Sequence, residues 1–271
     1  MKKMIKKVWK TLQHKALILL LLLNPINSYG VTETWQKPKF ITKSFFEVAL
    51  GFEYRSVAQK VRKWTKPVRI YVDHQVGSKE DKLLHDALLD AHIIDLREIT
   101  NIDMRRVKSI KQANIHYYFT SQQKLPALVK RVSGKSSLKH LKTSVCMATM
   151  RASRSGEINS AVVYIAVNQA RMHAKLVSCI VEELTQVLGL PRDSDKVFPS
   201  IFNDRSTDDL LTGLDIVLLK LLYNTSIKAG MGKAQLRPIL RGILNKWQKQ
   251  GKLQKAAKKS RTLALCQFME C

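Results

Sequence analysis

Several patterns that carry well-known chemistry are missing from this 271-residue sequence. No two of its seven histidines stand four residues apart, so the one-turn pair of imidazoles that many zinc-binding helices use is missing. There is no CxxC pair, which argues against a thiol redox motif or a zinc ribbon. A glycine-rich phosphate loop is missing too, and neither Ser78 nor Ser194 lies in a nucleophile elbow. Common zinc, redox, nucleotide and serine-hydrolase sites are therefore unsupported.

Acidic residues are scarce relative to basic ones. The chain has 21 Asp and Glu against 47 Lys and Arg, which gives a formal net charge of +26. Such a balance favours adhesion to anionic surfaces such as phospholipid, lipopolysaccharide, nucleic acid or acidic polymer. A solvated basic surface without a dedicated ligand is the simpler explanation. The basic pairs have few aromatic residues near them, so no specific nucleic-acid recognition is predicted.

Residues 1–30 read as a cleavable secretory signal. Six lysines precede the apolar run Ala16–Leu23, and Asn24 and Pro25 end that run before the small residues near Gly30. The run has eight residues, whereas a helix that spans a bilayer needs about 20. We therefore expect cleavage near Gly30, no transmembrane span in the mature chain, and a periplasmic or secreted protein.

Four cysteines, Cys146, Cys179, Cys266 and Cys271, fit two disulfides in an oxidising compartment. Four cysteines allow three pairings, and the sequence alone does not choose among them. We expect Cys146 to pair with Cys179 and Cys266 to pair with Cys271, because the second pair is close in sequence near the C-terminus.

Apolar periodicity predicts an α+β fold, in which helices back a mixed sheet and the C-terminal part is mostly helical. After a loose lead-in at 31–44, the predicted elements are a helical stretch at 45–63, strands at 68–72, 113–120, 146–152 and 161–167, and helices after Ser78, at 173–188 and at 208–223. A last helical stretch, interrupted at Pro238, ends near 251. We expect one domain over residues 31–250 and a basic, partly mobile tail over residues 251–271.

The most informative segment is the helix predicted at 173–188. A buried stripe is indicated by apolar residues that repeat every three or four positions, namely Val177, Val181, Leu184 and Leu188. Glu182 and Gln186 are one turn apart on a different face of the helix, with Glu183 beside them. This polar face is the main candidate for a site.

The segment resembles the His-Glu-x-x-His helix of zincin metallopeptidases, in which two histidines bind zinc and the glutamate acts on the zinc-bound water. Glu182 and Gln186 take the histidine positions, and Glu183 takes the position of the general base. Gly189 stands where the longer metzincin motif has the glycine of the turn after the helix, and Arg192 stands where that motif has its third ligand. The element order of strand, helix, strand, strand, edge strand and helix is similar too. The resemblance implies a zincin-like fold.

A second resemblance is to an uncharacterised family of exported proteobacterial proteins, some of them candidate lipoproteins. It covers about residues 45–245 and is carried by segments 46–54, 63–70, 182–186, 200–204 and 229–231. The family has no assigned activity, so the resemblance implies fold and export rather than function. No cysteine stands directly after the apolar run, which argues against a lipid anchor in this chain.

Zinc prefers imidazole and thiolate ligands, so a site made of Glu182, Gln186 and the cationic Arg192 should bind it poorly. A harder divalent cation accepts oxygen ligands but needs more of them. The following loop could supply such oxygens from Asp193, Asp195, Asn203 and Asp204. We therefore expect no cofactor, with a divalent metal as the alternative.

Three functions remain open. The first is a non-catalytic binding module of the cell envelope, whose cleft takes a peptide or an anionic envelope polymer through Glu182, Gln186, Arg192 and Asp193. The second is an active metal-dependent hydrolase or peptidase that uses Glu183 as general base. The third is a surface-binding protein whose fold is unrelated to peptidases. Whether the protein is an enzyme is left open by the sequence.

Overall fold

A five-stranded sheet occupies the middle of the chain, and helices precede and follow its strands. The computed structural model describes residues 33–51, 59–141 and 144–271, so the predicted signal at residues 1–30 lies outside the described part. The strands are β1 (Val68–His74), β2 (Met104–Arg106), β3 (Ile115–Thr120), β4 (Cys146–Ala152) and β5 (Ile158–Ala166). The helices are α1 (Pro38–Leu50), α2 (Lys79–Thr100), α3 (Leu125–Ser133), α4 (Val167–Met172), α5 (Leu176–Gln186), α6 (Gly213–Leu222), α7 (Lys233–Lys249), α8 (Lys252–Ser260) and α9 (Ala264–Phe268). The predicted α+β class is confirmed.

The sheet is mixed and mostly parallel. Its strand order is β2-β1-β3-β5-β4, and only β4 runs antiparallel to its neighbour β5. The resemblance to metzincins led us to expect an edge strand directly before the site helix, and that placement is wrong. The last strand, β5, is internal because it pairs with β3 on one side and β4 on the other. Accordingly, Val163 to Ala166 of β5 are all buried, whereas Met147 is the one buried residue of β4.

Alternation along the strands divides the core between the two faces of the sheet. Tyr117 and Phe119 of β3 face the large core, which α2 and α5 cover. Tyr118, between them, faces a smaller cluster that α3 covers together with Tyr164 of β5. Neither α3 nor the short strand β2 is in the sequence-based prediction. Both are short, and β2 buries Met104 alone.

Two predicted segments at the start of the chain are corrected by the structure. The expected loose lead-in contains a 3-10 helix at Thr34–Gln36 and the first half of α1, which begins at Pro38 and buries Ile41 and Phe45. Proline suits the first turn of a helix because an N–H at that position would have no acceptor within the helix, so its absence costs nothing. After the undescribed residues 52–58, residues 59–64 are extended rather than helical, and Lys63 forms a bridge with Glu157.

Helix boundaries follow the capping residues. The predicted start of α2 after Ser78 is confirmed by a capping box, in which the Ser78 Oγ accepts from the Asp81 N–H at 3.1 Å and the Asp81 carboxylate accepts from the Ser78 N–H at 3.0 Å. The helix predicted at 208–223 instead begins at Gly213, because Thr212 and the fully buried Asp215 form a second capping box. Burial raises the pKa of Asp215 to about 6, against hydrogen bonds from Ser200 and the Thr212 and Ile201 backbone that lower it.

The C-terminal part departs most from the prediction. Pro238 lies inside α7 without interrupting it. The residues expected to form a partly mobile tail fold into α8 and α9 and bury Leu253 and Leu263. The carboxylate of Asp95 in α2 accepts hydrogen bonds from the N–H groups that begin α9 and so holds the chain end. Among the described residues, no helix combines the length and apolar content that a bilayer span requires.

Candidate functional site

The polar face of α5 opens into a cleft beside the edge strand β4. The cleft has a volume of about 410 Å³ and is bounded by β4, α5 and the loop that follows α5. Its charged lining residues are Lys175, Glu182, Glu183, Asp193, Asp204 and Asp208. Glu182 and Gln186, which the zincin resemblance singled out, therefore both lie in a cleft.

The disulfide pairing agrees with the expected one, with Cys146 bonded to Cys179 and Cys266 bonded to Cys271. The first bridge joins β4 to α5, and both of its cysteines line the cleft. A covalent bond between the two walls fixes their separation. The second bridge closes the chain end after α9, away from the cleft.

Helix α5 is held by its buried faces. Val181, Leu184 and Leu188 have no exposed surface, as the predicted stripe requires. The predicted helix at 173–188 is shorter, however, because the chain breaks at Ala174, which has φ of 54°, and α5 begins at Leu176. From α2, the buried His92 places its Nε2 3.1 Å from the Val181 carbonyl. Burial lowers the pKa of His92 to about 3, so its ring is neutral at the helix contact.

The turn after α5 is fixed by a close crossing of the chain. Gly189 has φ of 118°, and a Cβ at this position would lie 2.0 Å from the Arg62 carbonyl oxygen. Only glycine fits such an approach. Two aromatic rings bond to the same turn, since the buried Trp64 donates from Nε1 to the Val187 carbonyl at 2.8 Å and the half-buried Tyr223 donates from its hydroxyl to the Leu188 carbonyl at 2.7 Å. The turn therefore delivers residues 191–193 to a defined place.

Gln186 connects two carboxylates of the cleft. Its side-chain Nε2 donates to Asp193 Oδ1 at 2.9 Å and lies 3.3 Å from Glu182 Oε1. Glu182, Asp193 and Asp204 each offer an oxygen, and these oxygens lie within 4.8 Å of one another. The predicted set of Glu182, Gln186 and Asp193 is thus brought together, and Asp204 joins it.

The loop after Asp193 positions Asp204. The Asn203 side-chain amide donates to the Val197 carbonyl at 3.0 Å, and its oxygen accepts from the Arg205 N–H at 2.9 Å. These bonds close the loop and place Asp204 at the rim of the cleft. Asp195, another candidate oxygen ligand, instead pairs with Arg205 at 2.9 Å and does not line the cleft.

Glu183, the candidate general base, lies deeper than Glu182. Its side chain is buried, with 6% of its surface exposed, and it lines the inner wall of the cleft. Burial raises the pKa of Tyr117 in β3 well above its usual value, and the nearby negative charge of Glu183 raises it further. Tyr117 therefore stays neutral beside this carboxylate.

Arg192 does not belong to the site. Its guanidinium lies 3.6 Å from the Glu47 carboxylate of α1, and its aliphatic stem packs against Gly51. It does not line the cleft, so its expected position as a third ligand is not supported by the geometry. Spacing along the motif places the backbone of residue 192 near α5, but the ion pair turns its side chain toward α1.

The cleft is acidic within a strongly basic chain. Five carboxylates and one lysine line it, and that Lys175 lies 3.6 Å from the carboxylate of Asp209. Asp208 and Lys175 were not among the predicted site residues. A signal was present for Asp208 alone, because five of the 21 acidic residues of the chain fall within residues 193–209. Such local enrichment gives the cleft a potential opposite to the net charge.

Comparison with known proteins places the chain in a family. The model of a family described as "Protein of unknown function (DUF2927)" matches residues 38–242. The chain belongs to the DUF2927 family. The DUF2927 match runs from the start of α1 into α7, so it includes the sheet, α5 and every residue of the cleft. A search of curated proteins found no match. The expected membership of an uncharacterised family is confirmed, and DUF2927 carries no assigned activity.

Proposed function

We propose that this protein is a non-catalytic binding module of the cell envelope, built on a degenerate metallopeptidase-like scaffold, whose cleft binds a cationic group of a peptide. Export by a signal at residues 1–30 is supported by the lysine-rich start and by two disulfides, which persist in oxidising compartments. The module would reside in the periplasm or outside the cell. We place the binding domain at residues 31–250, with 251–271 as a basic extension that packs onto the same core through Leu253 and Leu263.

Three features support the metallopeptidase-like origin of the scaffold. Glu182 and Gln186, at the histidine positions of the motif, both line the cleft. Gly189 has a positive φ at the turn that ends the helix, where the longer motif has its glycine. A mostly parallel sheet with one antiparallel edge strand forms the opposite wall. From the exported proteobacterial relatives we adopt export but not a lipid anchor, because no cysteine stands directly after the apolar run.

The residues at the motif do not fit zinc. No histidine or cysteine thiolate faces Glu182 among the residues that line the cleft, since Cys146 and Cys179 are bonded to each other. The Gln186 amide nitrogen is a donor and cannot coordinate a cation, and it points at Asp193. The zinc chemistry of the metallopeptidases therefore has no support here.

The observation that carries the proposal is the cluster of three carboxylates Glu182, Asp193 and Asp204, the first two of which are linked by Gln186. Their oxygens lie within 4.8 Å of one another, a spacing that suits the three donors of an ammonium group or the fork of a guanidinium. Gln186 holds two of these carboxylates together and lowers the cost of their repulsion. An anionic envelope polymer would be repelled here, so the peptide alternative is the better one for the cleft.

Binding should be tested with tetrapeptides that differ only in carrying lysine, arginine, glutamine or glutamate at one position, with amide NMR shifts as the readout. We expect the lysine and arginine peptides to shift resonances of α5 and of residues 193–208. Glu182→Gln and Asp193→Asn should each weaken that binding about tenfold or more, because each removes a charge-assisted contact. Glu80→Gln, an exposed change in α2, is the matched control. Preference for the glutamate peptide would contradict the proposal.

A second candidate is a metal-dependent hydrolase in which Glu183 is the general base. It is favoured by the same three oxygens, because Glu182, Asp193 and Asp204 could hold a hard divalent cation beside the buried Glu183. A bound cation would supply Lewis-acid chemistry to the cleft. Elemental analysis of the purified mature chain tests this reading. Stoichiometric metal that is lost in Glu182→Ala, with peptide hydrolysis that is lost in Glu183→Gln, would replace the binding module by the hydrolase.

A further inference from the structure

A second concave surface lies between α1 and α7 and is strongly basic. We call it the basic groove and define it by six lining residues, namely Lys39, Lys43, Phe46, Lys233, Arg237 and Arg241. Its volume is about 450 Å³. It shares no lining residue with the acidic cleft, so a ligand here would be additional to the one proposed above.

Helical spacing explains how the cations converge. Lys39 and Lys43 are one turn apart on α1, and Lys233, Arg237 and Arg241 follow one another at single turns on α7. The opposite faces of both helices are buried, with Phe45 of α1 among the core residues, so neither row can rotate away from the groove. Two rows of cations, one on α1 and one on α7, therefore line one surface.

Acidic partners are missing from the part of this surface that the structure describes. No described carboxylate lines the basic groove, and none of its five cations takes part in an ion pair among the described residues. Elsewhere in the fold, Arg69, Arg106 and Arg171 each pair with an aspartate. Like charges one turn apart destabilise a helix slightly, so a bound polyanion would relieve a repulsion that the fold leaves in place.

Phe46 gives the groove an ordered floor. The Lys233 ammonium lies 5.3 Å from the centroid of this ring, and the Arg237 guanidinium carbon lies 5.9 Å from it. Contacts of this kind hold the two cations near the ring and reduce the side-chain entropy lost on binding. Lys233 is also the first residue of α7, where the helix dipole adds positive potential.

We propose that the basic groove binds a ligand that carries closely spaced phosphate groups. Five converging cations match a ligand with several charges in a small volume better than a polymer with one carboxylate per unit. The two arginines can each donate two parallel hydrogen bonds to one phosphate. A phosphorylated lipid headgroup and a soluble oligophosphate both have this chemistry.

The first experiment measures binding of inorganic tripolyphosphate to the mature chain by titration calorimetry at physiological ionic strength. The groove variant is Lys43→Gln/Arg237→Gln/Arg241→Gln, and the control is Lys252→Gln/Lys255→Gln/Lys258→Gln on the exposed face of α8. Both lose three positive charges from exposed positions. We expect the groove variant to bind about tenfold or more weakly and the control to stay within about twofold of wild type. Equal losses would mean that net charge alone attracts the anion and would overturn the proposal.

A second experiment separates the two sources of phosphate. Vesicles of phosphatidylcholine with cardiolipin, whose headgroup carries two phosphates, are sedimented with the same three proteins, with and without tripolyphosphate as competitor. Groove-dependent sedimentation that tripolyphosphate abolishes assigns a lipid headgroup, and tripolyphosphate binding without sedimentation assigns a soluble oligophosphate. If neither probe binds, or if a single-stranded oligonucleotide binds more tightly than both, the proposal is wrong. The acidic cleft is untouched by these variants, so its test gives a separate answer.

Discussion

Removing the bridge between Cys146 and Cys179 should destabilise the fold and loosen the cleft together. The bridge spans 33 residues of sequence. Under the chain-entropy description, a loop of that length confines the unfolded chain enough to contribute about 3–4 kcal/mol of stability. The bridge between Cys266 and Cys271 spans 5 residues, and the same description gives about 2 kcal/mol. The two bridges therefore form a natural comparison.

The test is urea unfolding of two variants, Cys146→Ala/Cys179→Ala and Cys266→Ala/Cys271→Ala. Alanine avoids placing a hydroxyl at Cys179, which is buried. We expect the first variant to lose more free energy of unfolding than the second, by about 1–2 kcal/mol. The slope against urea should rise in the first variant, because the unfolded chain without the bridge is less compact and exposes more surface.

The same variants report on the cleft. β4 is an edge strand with a single hydrogen-bonded neighbour, and the bridge is its covalent attachment to α5. Amide hydrogen exchange in β4 and α5 should accelerate in the first variant and stay near wild type in the second. Equal unfolding free energies for wild type and the first variant, or faster exchange only at the chain end, would refute this role for the bridge.

Two further predictions concern the supports of α5. Gly189→Ala should cost about 3 kcal/mol or more in thermal or urea unfolding, because it combines a positive φ with a contact of 2.0 Å to the Arg62 carbonyl oxygen. Gly242→Ala in the exposed middle of α7, where a Cβ meets nothing within 4 Å, should be neutral or stabilising, and a similar cost at both sites would contradict the packing argument. Burial lowers the pKa of His92 from 6.5 to about 3. Between these pH values the unfolded chain binds a proton at His92 and the folded chain does not, so the free energy of unfolding should fall as pH falls from about 6.5 towards 3. His92→Leu should make that fall shallower by about 1.4 kcal/mol per pH unit at most, and identical pH profiles would rule out the assignment.

Strands and caps could be predicted from the sequence because the information for them is local. β1 and β4 begin at the predicted residues 68 and 146, and the Ser78 capping box marks the start of α2. The missed features depend on tertiary contacts. Alanine rarely adopts a positive φ, so nothing local indicates the break at Ala174. The C-terminal helices α8 and α9 are rich in polar residues, so the sequence gives little sign that they pack onto the core. The start of α9 is held by Asp95, about 170 residues earlier in the sequence.

The candidate site divides in the same way. Glu182, Glu183 and Gln186 could be placed together because helical geometry fixes their relation. Asp204 could be named only as one of several candidate oxygen ligands of the following loop, and Asp208 could not be placed at all, because a loop closed by Asn203 brings both to the cleft. The error at Arg192 has the opposite origin, since a motif spacing was extended beyond the helix that justified it. The side chain there follows its ion pair with Glu47.

Apart from the bridge between Cys146 and Cys179, the supports of α5 described above are not the carboxylates that line the cleft, and this separation bears on function. His92, Trp64, Tyr223 and the Gly189 crossing hold the helix through backbone carbonyls and packing. The carboxylates carry like charges, and the Gln186 amide links two of them. Under the proposal of a cationic ligand, changes to these carboxylates should alter binding far more than stability.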